Sequence, residues 1–561
     1  MHDLLIENAR VIDGTGAPGR MANVAVENGR IVAVGVGSGP ARQRVHADGR
    51  VLAPGIIDLH THYDAQLIWD PFATPSVRLG VTSVVIGNCG FTIAPCRASD
   101  RSRTLRNLTH VEGMSLEALE AGVQWEFETY AQYLSMLEKR GLVPNVASFV
   151  GHSSVRTYVL GEEAASRAAT REEVAQMKQL VAQALRDGAV GFSTSTLEQH
   201  NGENGVPMPS RLADEHEMRE LTGALGEVGK GVFQITKGMT TSIDWLEQVS
   251  ARNGRPSMIA ALFVDPNDPR RVFHEFAQID AARARGRELW GHVTCFPLGM
   301  EFTLRHPYPL EALLAWRPAI LAEGSETYRT VLRDPGFRAA VKAEAHTTTV
   351  PNRFSYHSLE HMSIITVEQD RHRELVGQNV AQLARAAGKD PFDWFLDFGL
   401  DGELDAMVDC KLFNTDEDAV RELIRQPHGQ ITLSDAGAHL SFLCDAGFGL
   451  HLFSHWVRER GDFTLEQAVQ SITSRPAALY RIRGRGSLVP GNWADMIMFD
   501  PDTVGRGAKR RVWDLPGGAS RVDTPALGLH GVWVNGTQVV DERGPIAQAG
   551  KPGRLMREFD A

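Results

Sequence analysis

Two histidines one residue apart, His60 and His62, close the apolar run Gly55-Ile56-Ile57-Asp58-Leu59. Residues i and i+2 of a β-strand point to the same side, so both imidazoles can reach one ion at the strand's end, and imidazole is a good ligand for a divalent metal such as zinc. Taken alone, His-x-His is as often a pair of surface side chains; its place directly after an apolar strand favours a site. Two other short motifs also follow apolar runs, Gly87-Asn88-Cys89-Gly90 and Leu433-Ser434-Asp435-Ala436-Gly437-Ala438-His439. A cysteine there is either a buried structural thiol or a thiolate donor. A Ser-Asp-Ala-Gly stretch is either a turn closed by an Asx bond or the seat of a catalytic carboxylate.

Such side chains need a rigid frame. Along the middle of the chain short apolar strands alternate with helical stretches, the pattern of βα units and a parallel sheet. The candidate strands are IIDLH, VTSVVIG, NVASFVGH, AVGFSTS, GVFQIT, ELWGHVTC, MSIITV and QITLSD, a number that suits a closed barrel. Helical periodicity runs through REEVAQMKQLVAQALRDG and ADEHEMRELTGALGEVGKG, the second ending at a C-cap glycine. The expected fold is α/β: a (β/α)8 TIM-like barrel over 55–479, with a helical insertion around 307–391 across its mouth. Residues 1–54 and 480–561 are β-rich, with hairpin turns at Asn28-Gly29 and Asn535-Gly536, and are expected to meet in one small β-sandwich.

The 561 residues are 43% hydrophobic and 23% charged, ordinary for a packed globular enzyme with a large domain and an accessory one. A net charge of -11 with no basic stripe argues against a nucleic-acid partner; Lys509, Arg510 and Arg511 are an isolated surface run. No basic segment followed by an apolar one opens the chain, and no apolar run reaches membrane-spanning length, so the expectation is a cytoplasmic protein with no membrane partner. Five scattered cysteines do not make a disulfide framework. No Gly-rich phosphate loop appears between a strand and a helix, so no nucleotide cofactor is expected.

The opening LLIENARVIDGTGAPG, the segment VLAPGIIDLHTH and the closing GRGSLVPGNWADMIMFDPDTV resemble the amidohydrolase superfamily, and within it the N-acyl-D-amino acid deacylase (D-aminoacylase) group. The resemblance is specific at both ends of the chain and looser in the middle. It implies a zinc-dependent hydrolase of linear amides, with one or two Zn2+ ions and a small-molecule amide substrate. It makes His60, His62 and Cys89 metal ligands, and Asp435 both a ligand and the general base and acid. It also implies histidines at the ends of strands five and six. His292 in Leu289-Trp290-Gly291-His292-Val293 serves for the sixth strand, but the fifth reads Val232-Phe233-Gln234-Ile235-Thr236-Lys237, with no histidine.

Lysine is a poor ligand unless deprotonated, so Lys237 is assigned to a substrate carboxylate or carbonyl, with a solvated loop lysine as its alternative. Arg156 is a second candidate cation for the carboxylate of a D-amino acid. His152, in Gly151-His152-Ser153-Ser154, is placed near the pocket as a substrate contact or a support to the ligands, with a satisfied structural histidine as its alternative, and His439 is a further substrate contact; for His200, His357 and His361 the local sequence does not separate ligand from surface. Two other readings stay open. One is a metal-poor scaffold that keeps the barrel without the chemistry, motivated by the missing histidine. The other is a hydrolase of another or a cyclic amide, although Val190-Gly191-Phe192-Ser193-Thr194 on the fourth strand lacks the lysine such relatives carry. Superfamily members commonly assemble, so a homo-oligomer is compatible with the sequence.

Overall fold

The computed structural model describes residues 1–37, 39–347, 354–437 and 445–559. They form two compact units: Met1–Leu262 with Phe276–Cys295 and Gln426–Ala561, and Phe263–Glu275 with Phe296–Arg425.

The first unit holds the frame foreseen from the sequence. Its parallel strands are β1 (Ile56–Asp58, continuing as His60–Thr61), β2 (Val81–Ile86), β3 (Asn145–Gly151), β4 (Gly191–Ser195), β5 (Val232–Thr236), β6 (Ser257–Ala260), β7 (Leu289–Val293) and β8 (Gly429–Ile431, continuing as Leu433–Ala436). Every residue of β2 to β6 is buried, as in a parallel sheet covered on both faces. Each strand pairs with the next in order, and β7 pairs with β8. β1 breaks at Leu59 and β8 at Thr432, where the Leu59 N–H donates to the Thr432 hydroxyl at 2.7 Å in place of a ladder carbonyl. Beyond the breaks the two strands pair with each other in parallel, Leu433 opposite His60 and Ala436 opposite Thr61, so the curled sheet brings its first and last strands together.

Helices follow the strands. α1 (Arg101–Val111) lies between β2 and β3; α2 (His152–Leu160) starts directly from β3; α3 (Arg171–Asp187) and α4 (Glu215–Val228) flank β4. α3 buries Val174, Met177, Val181 and Leu185 along one face, begins at a Thr170–Glu173 capping box and ends at Gly188 in the left-handed region. Burying side chains of this kind contributes about 1.5–3 kcal/mol each and an N-cap about 1 kcal/mol, so the apolar face outweighs the cap. Inside the curled sheet Ile57, Val85, Phe149, Val232 and Met258 form one core with Tyr480, Ile482 and Met556.

One strand assignment needs correction. MSIITV is not a sheet neighbour of β7: Met362–Thr366 belongs to the second unit, antiparallel to Met407–Phe413, which pairs in turn with Leu298–Phe302. The strand missed in the sequence is β6, only four residues long behind Pro256. The helical insertion expected at 307–391 falls within the second unit, which extends further on both sides.

Both ends of the chain share one sheet of nine strands, in which Val51–Pro54 pairs antiparallel with Met496–Phe499. Leu4, Ile6, Val24, Leu52, Met496 and Trp533 lie in its core. Among the described residues no helix is long and apolar enough to cross a membrane.

Candidate metal centre

His60 and His62 leave the C-terminal end of β1 on the same side, as the two-residue period requires. Asp58, one step back on that side, accepts the His60 N–H at 3.2 Å and a bond from the Ser434 hydroxyl, which ties β1 to β8 just below the site. The β1–β8 register shifts between Leu433 and Ala436, and within this bulge Asp435 stands at φ 52°. A bulge re-aims a side chain, and here the Asp435 carboxylate turns toward the imidazoles, with Oδ1 3.3 Å from His60 Nε2 and 3.2 Å from His62 Nε2. Gly437 follows at φ 93°, where a Cβ would lie 2.6 Å from the backbone of His62, so only glycine lets the chain turn away.

Cys89 sits in the turn after β2, also in the left-handed region at φ 58°. Its N–H donates to Gln234 Oε1 at 2.9 Å. Its Sγ lies 3.4 Å from His60 Nε2, 3.9 Å from His62 Nε2 and 3.1 Å from Thr236 Oγ1. Left-handed backbone at a residue other than glycine costs on the order of 1–3 kcal/mol and collects at functional sites; Cys89 and Asp435 are both such positions.

The donor atoms of His60, His62 and Cys89 all lie within 4.8 Å of one another, and the three residues are at most 5% exposed. Zinc bond lengths put adjacent donors of a tetrahedral ion roughly 3.3–3.6 Å apart; the His–Cys and His–Asp separations of 3.2–3.9 Å bracket that edge. Two imidazoles, a thiol and a carboxylate are also the ligand chemistry zinc prefers. The residues present therefore fit such an ion.

The electrostatics agree. Burial holds the His60 pKa well below its usual value, against the pull of Asp435. Burial also opposes a charge on His62, but Glu112, Asp435 and Cys89 outweigh it and raise its pKa well above the usual value. Burial pushes the Cys89 thiol up. A cation among these groups would supply the positive charge that the surrounding acceptors now draw onto His62. Glu112, just past the end of α1 and 3% exposed, places Oε1 2.9 Å from His62 Nδ1, an ion pair by distance though off line for a hydrogen bond.

The amidohydrolase family model matches residues 43–540. The chain belongs to the amidohydrolase family. This amidohydrolase is similar to a D-aminoacylase from Alcaligenes xylosoxydans xylosoxydans, 28% identical over 99% of this chain and 97% of the other. A solved N-acyl-D-glutamate deacylase from Bordetella bronchiseptica, in complex with zinc and a phosphonate that mimics the tetrahedral intermediate, is 26% identical with a TM-score of 0.69, covering 99% of this chain and 100% of that one. A solved D-aminoacylase with a binuclear metal center, described by one-metal activation and second-metal attenuation, is 26% identical with a TM-score of 0.67 over 100% of both chains.

Other residues singled out in the sequence of the amidohydrolase stand elsewhere. His292 is on β7, not on a sixth strand; Tyr480 OH lies 3.2 Å from its Nε2, its ring is edge-on to His60 at 5.8 Å, and it is outside the three-residue donor group. Arg156 is fully buried and committed: Nε donates to the Ala164 carbonyl, one terminal nitrogen to Glu217 and the other to the Arg167 carbonyl, so it is not a substrate contact. His152 has both nitrogens engaged, Nδ1 2.8 Å from Thr194 Oγ1 and Nε2 2.8 Å from Glu217 Oε1. Lys237 follows β5 and is half-buried. His200 has Nδ1 2.6 Å from Ser195 Oγ, whereas His357 and His361 face each other in the second unit. His439 lies outside the described residues. Sequence reasoning missed Glu112, Gln234, Thr236 and Glu217, which come from a helix end, a strand interior and a helix face and carry no motif of their own.

Proposed function

We propose that this chain is a zinc-dependent hydrolase of linear amides that deacylates N-acyl-D-amino acids. The observation that carries the reading is the convergence of His60, His62, Cys89 and Asp435 at the C-terminal end of the parallel strands, where barrel enzymes build their sites. The names of the similar proteins support the substrate class.

In this reading His60, His62, Cys89 and Asp435 hold the ion. Bound zinc supplies Lewis acidity toward a carbonyl oxygen and lowers the pKa of water to about 7. The Asp435 carboxylate, the most exposed member of the group, takes a proton from the attacking water and returns it to the leaving nitrogen. Glu112 fixes the His62 ring through Nδ1. With Arg156 committed, Lys237 is the remaining proposed contact for the substrate carboxylate.

The architecture proposed with this function is a closed (β/α)8 barrel over 55–479, flanked by a small β-sandwich domain from 1–54 and 480–561. The meeting of β1 with β8 and the separate core of the nine-stranded sheet support it. A cytoplasmic setting is part of the same proposal, supported by four described cysteines that are free thiols. The test is metal analysis joined to a hydrolysis screen of N-acyl-D- and N-acyl-L-amino acids. Zinc retained, with D-selective turnover lost on chelation and restored by the metal, is the expected result. A protein that takes up no zinc and cleaves no amide overturns the reading.

A further inference from the structure

Cys89 Sγ has three polar neighbours. His60 and His62 Nε2 stand at 3.4 and 3.9 Å; the Thr236 hydroxyl is nearer than either, at 3.1 Å. Gln234, two residues back on β5, accepts the Cys89 N–H at 2.9 Å and brings Nε2 to 3.4 Å from Thr236 Oγ1. Gln234 and Thr236 are both at most 3% exposed, so β5 presses an amide and a hydroxyl against this cysteine in a water-poor place.

A thiolate that bridges two ions uses one lone pair on each, and the second ion needs strong donors of its own around it. β5 contributes none, and β6 runs into Ala260-Ala261-Leu262, which are apolar. Of two further histidines, His200 Nδ1 meets Ser195 Oγ at 2.6 Å and His292 Nε2 meets the Tyr480 hydroxyl at 3.2 Å; the buried His292 Nδ1 has no partner, but His292 belongs to no group of three donors among the described residues. Among the described residues, His60, His62 and Cys89 form the single group of three or more His, Cys, Asp and Glu donors.

We infer that the centre takes one ion, with Cys89 a terminal ligand and the Thr236 hydroxyl hydrogen-bonded to its sulfur where a second ion would otherwise bind. The inference rests on the proposed metal-dependent hydrolase and narrows it. A neutral hydroxyl donating to a thiolate stabilises its charge without adding a cation, and it leaves the other sulfur lone pairs for the ion. The contrast is with the D-aminoacylase that has a binuclear metal center and is attenuated by its second metal. Among the described residues no second group of donors is placed to take excess zinc.

The experiment is a metal titration of the full chain, read by metal content and by spectroscopy. After incubation with excess zinc and gel filtration, about one zinc per chain is expected. Cobalt added to the metal-free protein is expected to raise the thiolate-to-cobalt absorption to a plateau at one equivalent. Two tightly held ions per chain in an active hydrolase overturn the one-ion inference alone; no retained ion together with no amide hydrolysis overturns the hydrolase reading as well. Thr236→Val tests the hydroxyl: cobalt stays at one per chain while the absorption shifts in energy, because the sulfur has lost its donor, and Thr236→Ser keeps the original position. An unshifted band in a folded Thr236→Val protein overturns the role given to Thr236.

Discussion

Two buried groups of histidine and carboxylate stand at the ends of strands in the first unit, and they are built to opposite ends. Around β3 and β4, His152 lies between Thr194 and Glu217, and Glu217 is shared with Arg156, whose other donors end on two carbonyls. Each polar atom finds a partner inside the group, and its members are at most 3% exposed apart from Arg167. Around β1, β2 and β8, by contrast, two imidazoles stand 3.2–3.9 Å from a sulfur and a carboxylate oxygen, so that four ligand-type side chains converge. Both groups join buried histidine to a carboxylate, but one is completed by an arginine and the other by a cysteine. What separates a brace from a metal centre is whether the side chains pair off one with the next or converge as ligand-type atoms on one point.

The contrast can be broken at either end. The largest effect is expected from His62→Ala, which removes a ligand outright: zinc content falls to near zero and turnover by a factor on the order of 10⁴ or more, since the lowered pKa of water is lost with the ion. Asp435→Asn keeps a comparable shape; zinc is retained in part, and kcat falls by about 10²–10⁴ as proton transfer is lost. Metal analysis and kcat on the same preparation separate the two.

On the other side, Glu217→Gln leaves Arg156 buried beside a neutral amide and should cost about 3–5 kcal/mol in denaturant unfolding while zinc content stays unchanged. Loss of zinc without loss of stability would mean that the two groups had been read the wrong way round. The same carboxylate predicts a pH limb. Burial pushes the Glu217 pKa up, but the hydrogen bonds from His152 and Arg156 outweigh it and hold it below the ordinary 4.5. Its contribution to stability is therefore complete above about pH 4.5 and fades as the pH drops through the lower folded value; Glu217→Gln should flatten that part of the stability curve.

The smallest effect is expected at Glu112, which touches a ligand and not the ion. Glu112→Gln should weaken zinc retention in a competition with a chelator by roughly 10- to 100-fold. An unchanged competition constant would remove Glu112 from the centre.

The sequence made visible what one strand could reveal by itself. His60 and His62 are legible because the two-residue period of a strand determines which side chains share a side. Cys89 lies in the turn after β2 and Asp435 in the bulge of β8, both at positive φ, and a family resemblance gave them their roles. Glu112 was invisible, because a Val-Glu-Gly at a helix end carries no periodic signal and its meaning arises from packing against residue 62. β6 was passed over because Ser-Met-Ile-Ala is short and carries one β-branched residue, whereas Met-Ser-Ile-Ile-Thr in the second unit reads like a buried barrel strand. That exchange moved His292 from an expected sixth strand to β7. The partner of Arg156 and His152 was hidden for a related reason, because Glu217 lies on α4, 61 and 65 residues away.

The pairing of Val51–Pro54 with Met496–Phe499 also has a meaning in time. On the ribosome the first strand leaves the tunnel long before its partner exists. Roughly 440 residues separate them, which at about 5–20 residues per second is on the order of 20 to 90 seconds of synthesis. Throughout that interval one edge of the early strands stays open, the kind of surface to which a foreign strand can add. The burden of protecting the nascent chain therefore falls on the strand that leads directly into the residues of the metal centre.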